Sequence, residues 1–131
     1  MSVKLFDTMS RTLTELQPLH EREVRLYTCG PTVYDYPQIG NWAMYTRWDT
    51  LVRMLRASGY DVNWVMNITD VGHLTSDADT GEDKLEKGAH REGKTAWEVA
   101  EFYTTDFLAG MRALNMTQPS AIVKATDTIP E

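Results

Sequence analysis

The spacing of apolar side chains changes twice between Val24 and Asn67, and this limits the fold more than any other feature of the chain. Val24 and Leu26 alternate with Arg25, the period of a strand with one buried face. Gly30, Pro31, Pro37 and Gly40 then punctuate a turn-rich stretch. From Asn41, which can cap a helix, Met44, Tyr45, Trp48, Leu51, Val52 and Leu55 recur at helical spacing, and Gly59 reads as the stop. Tyr60 to Asn67 returns to alternation, with Val62, Trp64 and Met66 on one face and Asp61, Asn63 and Val65 on the other. Strand, helix, strand is a βαβ unit. Its parallel strands are joined by a right-handed crossover, and ligands bind outside their carboxyl ends.

Cys29, the only cysteine, and the segment from Asn67 to Asp70 both fall at such ends. The start of the helix between the strands presents unpaired N–H groups and the positive end of the helix dipole, which suits a phosphate. Gly40, with no side chain, lets that phosphate approach the backbone. Each residue also has a plainer reading. A lone cysteine at a strand end is by default a small buried hydrophobe, Asn41 an ordinary cap and Thr69 a loop residue.

The ordered motifs favour function. Cys29-Gly30-Pro31-Thr32-Val33-Tyr34-Asp35, followed by Gln38-Ile39-Gly40-Asn41 and then by Asn67-Ile68-Thr69-Asp70, resembles the start of the catalytic domain of class I cysteinyl-tRNA synthetases. The resemblance runs from Leu5 to Lys124-Ala125-Thr126. It implies an α/β fold with a Rossmann-like parallel sheet and flanking helices, residues 1–131 forming the N-terminal half of the nucleotide-binding catalytic domain. It also implies ATP, with Mg2+, as a substrate, L-cysteine as the amino acid activated to cysteinyl-adenylate, and tRNA(Cys) as the acceptor in the complete enzyme.

By the same resemblance Gln38, Ile39, Gly40 and Asn41 hold ATP, with Gln38 and Asn41 at the catalytic step, and Cys29, Gly30, Thr32 and Thr69 surround the bound cysteine. In the family a zinc ion recognises the substrate thiol, and Cys29 matches one zinc ligand. Thiolates are soft ligands for zinc and a serine hydroxyl is a poor substitute, so discrimination rests on the metal. Two departures stand out. The family's signature begins with histidine, which can carry a positive charge, whereas Gln38 donates a hydrogen bond but stays neutral. The Lys-Met-Ser-Lys-Ser loop and the remaining zinc ligands have no counterpart before Glu131, so the chain alone is expected to be inactive and to hold little zinc.

Composition bounds the rest. A chain of 131 residues, 42% hydrophobic, suffices for one globular unit. A net charge of −6 disfavours an unassisted grip on nucleic acid, which rests on Lys and Arg neutralising phosphates. No signal-like or membrane-length apolar run occurs, and a single cysteine excludes an intrachain disulfide; both agree with a cytoplasmic chain and no membrane partner.

The charged stretch 71–92 reads as a surface loop inserted relative to the family, with a short helix near Lys84. Its carboxylates Asp77, Asp79, Glu82 and Asp83 lack the ligand spacing of a calcium loop, and His73 and His90 read as surface residues. Thr95, with Glu98 three residues on, opens a helix to Leu114 whose apolar residues, from Trp97 to Leu114, read as core; Asn115 ends it, and Ala121 to Val123 suggest a further strand. A parallel sheet lacking its neighbours is expected to expose an edge that invites self-association. Two other readings share these motifs: a noncatalytic module binding ATP or a cysteine-like ligand, and the related ligase that joins cysteine to an amino sugar.

Overall fold

The computed structural model describes residues 3–71, 89–91 and 93–129. Among these, the chain runs through β1 (Lys4–Asp7), β2 (Thr12–Glu15), β3 (Glu23–Thr28), α1 (Ile39–Ala57), β4 (Asp61–Ile68), α2 (Ala96–Ala113) and β5 (Ala121–Lys124). β3, β4 and β5 form a parallel sheet in that order, with Glu23 opposite Asp61 and Thr28 opposite Met66 on one side of β4, and Val65 opposite Ala121 on the other. The expected βαβ unit is therefore present, and a second crossover through α2 extends it. All three carboxyl ends lie along one edge.

Alternation in β4 decides which face is covered. Val62, Trp64, Met66 and Ile68 are buried, while Asp61 and Asn63 are exposed. Against Val62, Trp64 and Met66 lie Tyr45, Val52 and Leu55 of α1 and Phe107 and Met111 of α2, so both helices share one side of the sheet. Each such side chain contributes about 1.5–3 kcal/mol on leaving water. Trp42 stacks on Phe107 at 5.4 Å between ring centres and Tyr45 meets the same ring edge-on at 5.1 Å, joining α1 to α2. The opposite sheet face leaves Arg25, Tyr27 and Asn63 exposed.

Two buried carboxylates fasten the connections. Asp49 of α1 accepts the Thr117 N–H at 2.8 Å and the Arg53 Nε at 2.8 Å, and Arg53 also reaches the Asn115 carbonyl. Burial pushes the Asp49 carboxyl up, but the hydrogen bonds from Thr117 and Arg53 outweigh it and hold the group below the usual aspartate value. Asp70, just beyond β4, accepts the Thr126 N–H at 3.1 Å and its hydroxyl at 2.6 Å, tying the end of β4 to the turn after β5.

Several local expectations are corrected. α1 begins at Ile39, with Gln38 as its N-cap, because Asn41 is used inside the first turn: its Oδ1 accepts the Gln38 N–H at 2.9 Å. The Thr95 cap of α2 forms as expected, with Thr95 Oγ1 accepting the Glu98 N–H at 3.3 Å and Glu98 Oε2 accepting the Thr95 N–H at 2.9 Å. Asn115 ends that helix in the left-handed region, at φ 51°. Not all of its apolar residues are core, however: Trp97 in the first turn, Phe102 off the buried stripe and the C-cap Leu114 are exposed.

The antiparallel hairpin of β1 and β2, with Phe6 opposite Leu13, has no counterpart in the reading of the sequence. Of stretch 71–92, the calcium-like carboxylates, His73 and the helix near Lys84 lie outside the described residues, while 89–91 are helical and His90 is exposed.

Candidate active site

The site is built where β3 and β4 lose their register. Regular pairing stops at Thr28 opposite Met66 and resumes, still parallel, at Thr32 opposite Thr69. The β3 side thus spends one more residue than the β4 side, a bulge of the kind that re-aims side chains at sheet ends. Just before it the chain is locked, since Thr28 is buried and its hydroxyl accepts the Trp64 indole N–H at 2.9 Å. Just after it, Thr69 donates its N–H to the Pro31 carbonyl at 2.9 Å and accepts the Val33 N–H at 3.1 Å.

Cys29 sits in this bulge with an exposed thiol. Gly30 follows, and its backbone lies so close to β4 that a Cβ would stand 1.9 Å from the Asn67 carbonyl oxygen. Only glycine fits there. Asn67 completes the turn, taking the Gly30 N–H on Oδ1 at 3.1 Å and donating from Nδ2 to Thr69 Oγ1 at 3.1 Å. Cys29, Gly30, Thr32 and Thr69 are therefore brought together at the carboxyl ends of the strands, joined by backbone pairing and one side-chain amide.

A neighbouring cavity of about 310 Å³ lies between this region and the start of α1, with Thr32, Tyr34, Asp35, Gln38, Asn41 and Tyr45 among its lining. Gln38 and Asn41 thus share a cavity with Thr32, whereas Ile39 and Gly40 are exposed on the first turn, Ile39 at 88%. Gly40 contrasts with Gly30: a Cβ built on it meets nothing within 4 Å. The first turn of α1 carries no acidic residue, so nothing on the helix itself offsets its positive dipole end.

Tyr45 bridges the two halves of the site. Its ring is buried against Trp42 and Phe107 and only 2% of the residue is exposed, yet the residue lines the cavity. Burial, and secondarily the negative charge of a Cys29 thiolate, push its hydroxyl up to about 12. The group therefore stays protonated at any physiological pH. The cavity wall is fastened from outside: Arg91 pairs with Asp35 at 3.0 Å and reaches the Tyr103 hydroxyl at 3.3 Å, while Tyr36 packs edge-on against Tyr103 at 5.0 Å.

Reading the sequence did not single out Asn67, Tyr45 or Asp35 for the site. Tyr45 carried only a helical-periodicity signal and Asn67 only its place in a motif. As to zinc, no three His, Cys, Asp or Glu side chains come together among the described residues. Zinc takes three or four protein donors, and the exposed Cys29 thiol is one; the described residues do not by themselves fit such a site.

Residues 15–131 match the family model described as tRNA synthetases class I (C) catalytic domain. A protein named cysteine–tRNA ligase from Treponema denticola is 51% identical over 131 residues, covering 100% of this chain and 27% of that protein. Cysteine–tRNA ligase 1 from Burkholderia lata is 50% identical over 131 residues, covering 100% of this chain and 28% of that protein. Cysteine–tRNA ligase from Zymomonas mobilis is 48% identical over 129 residues, covering 98% and 25%. The chain spans about a quarter of the length of the curated relatives it matches.

Proposed function

Because this chain belongs to the class I (C) tRNA synthetase catalytic-domain family, we propose that it supplies the first part of a site that activates L-cysteine with ATP for transfer to tRNA(Cys). The observation that carries this reading is identity near one half, across the whole chain, to proteins named cysteine–tRNA ligase. In the reaction, a carboxylate oxygen of cysteine attacks the α-phosphorus of ATP. A mixed anhydride forms, the bond to the β-phosphate oxygen breaks, and pyrophosphate leaves. The carboxylate arrives ionised, so no proton must be removed, and the work is alignment and stabilisation of charge on the phosphate.

In this reading residues 38–41 hold the triphosphate. The open space above Gly40 leaves room for a phosphate against the backbone, and the unneutralised end of α1 favours negative charge. Gln38 and Asn41 offer amide donors at the cavity between them and Thr32. Cys29, Gly30, Thr32 and Thr69 receive the amino acid. Cys29 would give zinc one thiolate, with the other donors coming from outside the described residues. The nucleotide is used with Mg2+.

Residues 1–131 act in this proposal as one unit of a larger catalytic domain. The exposed sheet face with Arg25 and Tyr27, and the outer edge of β3, are where further structure would dock, since parallel sheets are ordinarily covered on both faces. Left open, that edge favours self-association, and light scattering should show mass rising with concentration. No helix among the described residues is long and apolar enough to cross a membrane; a cytoplasmic location, where charged tRNA is used, belongs to the same proposal.

Cysteine-dependent ATP–pyrophosphate exchange tests the function. The chain alone should give none, and mixing it with the complementary part of the Treponema denticola relative should give exchange with cysteine and not with serine. Equal exchange with serine, or none in the mixture while the intact relative is active, sinks the proposal. In the mixture, Gln38→His should raise the exchange rate about tenfold, because a charged donor binds a phosphate oxygen more strongly than a neutral amide.

A further inference from the structure

The bulge contains a chain of hydrogen bonds whose direction is fixed at one end. Gly30 N–H can only donate, and it points at the Asn67 side chain at 3.1 Å. The atom facing it must be Oδ1, because the reversed amide would set two donors against each other. Nδ2 then faces Thr69 Oγ1 at 3.1 Å, and that oxygen has to accept. A hydroxyl that accepts on one side turns its own proton away from the donor. The backbone N–H and carbonyl of Thr69 are both engaged, with Pro31 and Val33, and no acceptor among the described residues takes its hydroxyl proton.

We propose that Asn67 is a positioning residue that holds the Cys29–Gly30 turn against β4 and turns the Thr69 hydroxyl proton away from itself, so that the site offers a donor to an acceptor group such as a carboxylate or thiolate. Thr69 lies beside the bulge, half-buried, on the same edge as Cys29. A backbone amide and a single asparagine thus aim a hydroxyl donor without a charged residue. That the acceptor belongs to cysteine rests on the functional reading above; the aim of the donor does not.

The test uses the isotope-labelled chain, with ligand binding followed through the Gly30 and Thr69 amide resonances. The three probes are L-cysteine, 3-mercaptopropionate, which lacks the ammonium, and cysteamine, which lacks the carboxylate. Without ligand, Asn67→Ala should speed exchange of the Gly30 amide by about tenfold or more, whereas Asn67→Asp, which still accepts that N–H, should keep it slow. With ligand, 3-mercaptopropionate should bind and cysteamine should bind more weakly.

Thr69→Val should weaken 3-mercaptopropionate about tenfold, and Thr69→Ser should restore it. Asn67→Asp, which turns the Thr69 proton inward, should weaken it similarly, and less so when combined with Thr69→Val. An undiminished loss in that combination would mean that the carboxylate introduced by Asn67→Asp merely repels the anion, and would overturn the proposal. So would unchanged Gly30 exchange in Asn67→Ala, a preference for cysteamine, or no response to any probe. Failure of cysteine-dependent pyrophosphate exchange alongside the expected exchange and probe pattern would instead strike only the reading as a cysteine ligase.

Discussion

Gly30 and Gly40 lie ten residues apart in the same motif, and the protein treats them in opposite ways. A side chain on Gly30 would strike the β4 backbone 1.9 Å away, so the residue is required by the fold itself. A side chain on Gly40 would meet nothing. A glycine in a helix loses stability relative to alanine, and at Gly40 no internal contact repays that loss. One glycine is explained from within the molecule; the other has no internal explanation, and in the proposed function its open space is left for a phosphate. The same division separates the bulge at Cys29, closed by hydrogen bonds on each side, from the first turn of α1, which faces solvent.

The strongest way to break this comparison is Gly30→Ala. If the bulge is internally determined, the methyl must push β3 from β4, and chemical denaturation should show a loss of about 3 kcal/mol or more. The Thr32–Thr69 pairing should loosen with it. A change below about 1 kcal/mol would mean that the turn is soft and that the fold does not by itself require Gly30.

Asp49 tests the fastened character of the far end of α1. Asp49→Asn keeps an acceptor for Thr117 but turns an amide toward Arg53, and about 2 kcal/mol should be lost. The folded carboxyl titrates below its unfolded counterpart, so its contribution is complete above the unfolded value and disappears as pH falls through the lowered folded one. In the variant that part of the acid limb of the stability profile should flatten. An unchanged profile would show that the link from α1 to Thr117 carries no charge-dependent stability.

How much of this was legible in the sequence follows from which residues had one buried face. β3, β4 and both helices announced themselves because Val62, Trp64 and Met66, or Val99, Tyr103 and Phe107, recur at the period of their element. The hairpin gave no such signal: all four β2 residues are exposed, so alternation there records nothing. Asn41 was misplaced as the cap because its side chain could serve either position. The three-residue spacing from Gln38 held the correct answer, obscured because glutamine is an uncommon cap. Cys29, Gly30, Thr32 and Thr69 were nameable only through the family motif. Asn67 was hidden, since its role depends on an unpaired N–H thirty-seven residues away that exists only once the strands slip register.

The smallest effect on stability, and the sharpest contrast, belongs to Gly40→Ala. If no part of the protein needs the missing side chain, alanine should fit without strain and raise stability by about 0.5 kcal/mol, the opposite sign to Gly30→Ala. If the space belongs to a phosphate, the same methyl should lower cysteine-dependent pyrophosphate exchange in the complemented enzyme by about a hundredfold, since displacing a reacting group by about 1 Å costs that much. Gain in stability with loss of exchange is the outcome the proposal requires. A gain in stability with exchange intact would mean that Gly40 keeps no ligand close, and the nucleotide would have to be held instead by side-chain donors from the Thr32, Gln38 and Asn41 side of the cavity.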